Sequence, residues 1–144
     1  MNKDLIQYGN MVEAALLGVV RNILHNTAQE GLNGDHHFYI TCKTGSLGIT
    51  LPKYLEASYP DEITLVIQHQ YWDLEVDDNF FNITLSFNGK KESLHVPFKS
   101  ITSFVDPSVE FGLQFNVSEN NIKQKDLQTE ISPADSFTNE DKSI

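Results

Sequence analysis

Five histidines, one cysteine and two pairs of adjacent carboxylates are the residues of this chain best suited to catalysis or metal binding. His36 and His37 follow Asp35 in a Gly-Asp-His-His-Phe segment, and His69 and His95 fall in stretches that alternate apolar and polar residues. Their spacing nominates no metal. There is no His-Glu-x-x-His and no pair of Cys-x-x-Cys, and Cys42 offers a single soft ligand. A small metal-dependent enzyme using Asp35, His36, His37, His69 or His95 is therefore the second reading of the chain, not the first. Cys42 shares the parity of Phe38 and Ile40, which puts it in the core, where the thiolate needed for nucleophilic attack is disfavoured. Thr44-Gly45-Ser46-Leu47-Gly48 lacks the Gly-Lys-Ser/Thr ending of a phosphate loop, and no Gly-x-Ser-x-Gly elbow occurs. Asp61/Glu62 and Asp77/Asp78 stand beside turn residues, as solvated caps do. No catalytic residue and no cofactor site emerges.

A different set points to binding. Gln68, Gln70, Asn82, Thr84, Ser86, Gln114 and Asn116 collect on the outward parity of the strands, beside Val66 and Trp72. Solvated faces of an acidic protein should carry more Glu and Lys. Amides and hydroxyls next to apolar side chains instead make a surface able to hydrogen-bond an extended peptide backbone.

The elements that must position these groups follow from periodicity. Leu5, Tyr8, Val12, Leu16, Val19 and Ile23 recur every three or four residues, so a helix is expected from about residue 2 to Glu30, closed by Gly31. A second row, Leu17, Val20, Leu24 and Ala28, widens the apolar arc beyond one buried face. From Phe38 the period is two. Strands are expected over 38–43, 47–51, 62–72, 81–87, 93–96 and 109–117, with short helical turns opened by Pro52 and Pro97 and a hairpin at Asn88-Gly89. The fold class is mostly β with an N-terminal helix (α+β).

Length and charge set the bounds. The 144 residues, 40% of them hydrophobic, make one domain over 1–117, and the polar composition of 118–144 reads as a flexible acidic tail. Twenty acids against ten bases give a charge of −10, with one Arg and nine scattered Lys. That excludes a nucleic-acid surface, an RNA-binding barrel of Sm-like shape included, and disfavours anionic membranes. The apolar stretch from Ala14 to Val20 is far short of the roughly 20 residues a bilayer span needs. A lone Cys and the absence of an export signal at the start predict a cytoplasmic protein.

Four segments then carry a family resemblance: Gly-Asp-His-His-Phe-Tyr-Ile-Thr (34–41), Tyr-Pro-Asp-Glu-Ile-Thr-Leu-Val-Ile-Gln-His-Gln-Tyr-Trp-Asp-Leu (59–74), Val-Pro-Phe (96–98) and Phe-Val-Asp-Pro-Ser-Val-Glu-Phe-Gly-Leu-Gln-Phe (104–115). In order and spacing, over roughly residues 8–117, the chain resembles the α-proteobacterial branch of SspB, the specificity-enhancing adaptor of the ClpXP protease. The resemblance implies a small SspB-like β-barrel of antiparallel strands over about 36–117, and a homodimer paired through the helix, with Val12, Leu16, Val20 and Ile23 at the interface. It implies a groove that binds the ssrA tag of stalled-translation products, formed by Val66, Gln68, Gln70, Trp72, Asn82 and Thr84. It also implies a tail that docks on the ClpX unfoldase, here through Phe137 and Ile144.

Overall fold

In a computed structural model, residues 4–117 are described; the expected tail, with Phe137 and Ile144, lies outside them. The N-terminal helix, α1, spans Tyr8–Glu30. Asp4 starts it, its carboxylate accepting from the backbone N–H groups of Gln7 at 2.7 Å and Tyr8 at 3.1 Å, two donors that a helix start leaves unpaired. Gly31 ends it at φ 79°, donating to the Thr27 carbonyl.

Seven strands follow, with every pairing antiparallel. They are β1 (Phe38–Lys43), β2 (Glu62–Ile67), β3 (Tyr71–Val76), β4 (Phe80–Phe87), β5 (Lys90–Pro97), β6 (Ile101–Asp106) and β7 (Phe111–Gln114). A short helix, α2 (Lys53–Ser58), sits between β1 and β2 with Pro52 at its start, as expected of that proline. The strands form two sheets, of order β2-β1-β6-β7 and β3-β4-β5. The α+β class holds, but the barrel is not closed: the sheets keep free edges at β2 and β3. Alternation fills the space between them with Ile40, Ile63, Leu65, Ile67 and Phe104 from one sheet and Phe81, Ile83, Leu85, Leu94 and Val96 from the other. Val20 and Leu24 of α1 join the same cluster.

Four expectations change. Residues 62–72 are not one strand: pairing stops at Ile67, and Gln68-His69-Gln70 bends the chain from one sheet to the other. Residues 47–51 form no strand, because the Thr50–His95 bridge is isolated. The helical turn after Pro97 is three residues long, and Ile101–Asp106 is a strand pairing with β1. Finally, β7 is shorter than 109–117, and Val109 (58%) and Phe111 (38%) are exposed rather than core. The hairpin at Asn88-Gly89 forms as expected, with φ of 54° and 83°.

Candidate peptide-binding groove

The switch between sheets makes a groove. Its walls are the end of β2 (Thr64, Val66), the bend Gln68-His69-Gln70 and the end of β4 (Leu85, Ser86, Phe87), enclosing about 520 Å³. Asn88 and Gly89 reverse the chain directly after Phe87 and so set the rim. Val66 is 49% exposed, because β2 alternates and this residue points away from the core. Gln68 is half-buried, while His69 and Gln70 are exposed. Among the described residues, neither glutamine amide nor the Ser86 hydroxyl has a hydrogen-bond partner, so all three are open to a ligand. The groove runs beside β2, an edge strand whose outer backbone groups pair with no other strand.

Of the six residues expected at the site, Val66, Gln68 and Gln70 meet here and three do not. Asn82 accepts from His95 Nδ1–H at 2.7 Å, so its carbonyl is committed to the sheet. Thr84 is 8% exposed, with its hydroxyl 3.1 Å from that of Ser93. Trp72, its neighbour in register, is half-buried with Lys91 Nζ 4.0 Å above its ring. Both faces of the middle strand β4 are covered at this point, Ile83, Thr84 and Leu85 all being buried. Sequence reasoning placed the groove on the Gln68-His69-Gln70 stretch but missed Thr64, Leu85 and Phe87 as lining residues. The interruption of an apolar run by Gln-His-Gln, three polar residues in succession, was the available signal for the bend.

His36, His37 and His95 serve the scaffold. His36 Nδ1 lies 2.6 Å from Asp106 Oδ2, a carboxylate 4% exposed that also accepts from the Ser108 backbone N–H at 3.0 Å and the Ser108 hydroxyl at 2.6 Å. Burial works against the Asp106 charge, yet these bonds from Ser108 and His36 outweigh it and hold the carboxyl below its usual range. His37 Nδ1–H donates to the Asp35 carbonyl at 2.9 Å, and the His95 ring stacks on Phe80 at 4.4 Å. Among the described residues no three His, Cys, Asp or Glu side chains lie together as metal ligands, so the metal-enzyme reading gains no support. Cys42 is fully buried, and that burial pushes its thiol up to about 12. No described helix is long and apolar enough to cross a membrane.

The apolar arc of α1 divides. Val20 (0%), Leu24 (0%) and Thr27 (6%) face the core, so Val20 offers nothing to a second chain and leaves the expected interface set. Leu16 and Ile23 are half-buried, and Val12 is 56% exposed in a row with Tyr8 (63%), Met11 (59%) and Val19 (39%).

No curated protein matches the chain. A family description, that of stringent starvation protein B, matches residues 10–143, a span that includes all but the first two residues of α1, both sheets and the groove. On that match, the chain belongs to the SspB family.

Proposed function

We propose that this chain is a non-catalytic adaptor that holds the ssrA degradation tag in the β2–β4 groove and delivers tagged proteins to ClpX, the unfoldase of ClpXP. Family membership carries the general role, adaptor work in ClpXP proteolysis. The observation that supports the groove as tag site is the convergence of unpaired amides at Gln68 and Gln70 with the exposed Val66 along the free edge of β2. An extended peptide can satisfy its backbone there as an added strand, with side chains placed alternately against the groove. Neutral amides suit that task because they donate and accept without the desolvation cost of a charge.

Two copies pair through the exposed row of α1, and 118–144 acts as the tether whose contact with ClpX raises the concentration of tagged protein near the protease. These steps are the ones expected of a cytoplasmic protein. Titration of a fluorescent tag peptide into the protein tests the site. Gln68→Ala and Gln70→Ala should each weaken binding about 5-fold or more, the loss of a hydrogen bond or two at roughly 1 kcal/mol each. Unchanged affinity in both would remove this groove from the account.

A further inference from the structure

A second cleft, of about 310 Å³, lies between α1, the loop after β1, the β3–β4 turn and the turn after β5, and it shares no residue with the β2–β4 groove. Its size is at the small end for ligand sites, which run from about 300 Å³ upward. Three features mark it as built for an anion with an apolar body. Arg21, the chain's one arginine, lines it together with Lys99, and among the described residues neither forms an ion pair. In a chain of net charge −10, two cations brought to one cleft, neither of them in an ion pair, are out of keeping with the rest of the surface. Ser46 also lines it, 1% exposed, with a hydroxyl that has no hydrogen-bond partner among the described residues. A buried hydroxyl left unpaired is costly, and a ligand acceptor would relieve it. The neighbouring Ser100 contrasts, because it donates to the Pro97 carbonyl at 2.7 Å.

The remaining wall is apolar: Leu17, Phe98 and Leu47, the last 51% exposed. Asp78 lines the cleft too. Its negative charge opposes a dianion such as phosphate, while its free carboxylate can accept from a backbone N–H. With that acid nearby a single negative charge is favoured over two, and the fork of an arginine takes a carboxylate through two parallel hydrogen bonds. We propose that this cleft captures the free carboxyl terminus of a polypeptide that ends in an apolar residue. The carboxylate pairs with Arg21 and Lys99 and receives the Ser46 hydroxyl. The last side chain packs among Leu17, Leu47 and Phe98, and Asp78 accepts from the peptide backbone.

The proposal stands apart from the tag groove, and one experiment separates them. A fluorescein-labelled hexapeptide ending in Ala-Leu is titrated into the full chain by anisotropy, beside the same peptide with an amidated end and beside N-acetyl-leucine as competitor. Binding should be saturable, should be lost on amidation, and should weaken about 10-fold or more in Ser46→Ala and Arg21→Gln, as expected for hydrogen bonds to a charged group. Ser46→Ala should melt at the wild-type temperature or above, since it removes an unpaired hydroxyl. Lys99→Gln, at an exposed position, gives the same loss without risk to the fold, and Gln68→Ala leaves this binding unchanged. Equal binding of the amidated peptide, no saturation up to millimolar peptide, or no competition from N-acetyl-leucine at a large excess over the hexapeptide would each overturn the proposal.

Discussion

Asp106, Asn82 and Cys42 show how single residues divide scaffold from site. Asp106 ties the loop holding His36 to the turn after β6, and its folded pKa is depressed. A depressed carboxylate contributes stability above its unfolded pKa, and that contribution disappears as pH falls through the lower, folded value. Asp106→Asn should therefore cost about 1–3 kcal/mol at pH 7 in urea unfolding, and the gap from wild type should narrow in acid. Asn82→Ala should lower stability by about 1 kcal/mol through loss of its bond with His95, yet leave tag-peptide affinity intact. Cys42, pushed up to about 12 by burial, should resist a thiol reagent at pH 7.5 until the chain is unfolded. Parity made that cysteine legible from sequence. The same reasoning failed at Asn82 and Thr84, since alternation tells which face a residue takes but not whether another strand or side chain covers that face.

Among the elements, α1 and the 68–70 bend carry the most meaning. The helix was readable end to end within a few residues, its apolar arc included, because a 3.6-residue period over 23 residues is a strong signal. Which row served the core was not readable, as Leu16 and Val20 are equally apolar and only the packed sheets decide between them. The division predicts two different failures. Val20→Asp places a charge in the core and should destabilise the fold on the order of 4 kcal/mol or more. Val12→Asp should leave a folded chain that sediments as one subunit; a two-subunit species would sink the pairing through α1. The bend was hidden for the opposite reason. A strand that leaves one sheet for another keeps period two on both sides, so 62–72 reads as continuous although its backbone pairs with β1 before the break and β4 after it.

At the scale of the whole molecule, the charge of −10 is spread rather than concentrated: six acids against three lysines leave −3 in 118–144, and the domain before it holds the other −7. Uncharged amides at the groove thus stand out against an acidic surface, which makes the proposed tag site a gap in the repulsion as well as a set of donors. The adaptor account needs two separable parts, a domain that binds and a segment that delivers. Degradation of an ssrA-tagged reporter by ClpXP measures both at once, with the full chain compared with one ending at Val117. The account predicts that the shortened chain binds tag peptide as tightly as the full one and no longer speeds degradation. Equal stimulation by the two chains, or loss of tag binding on removing residues 118–144, would contradict it.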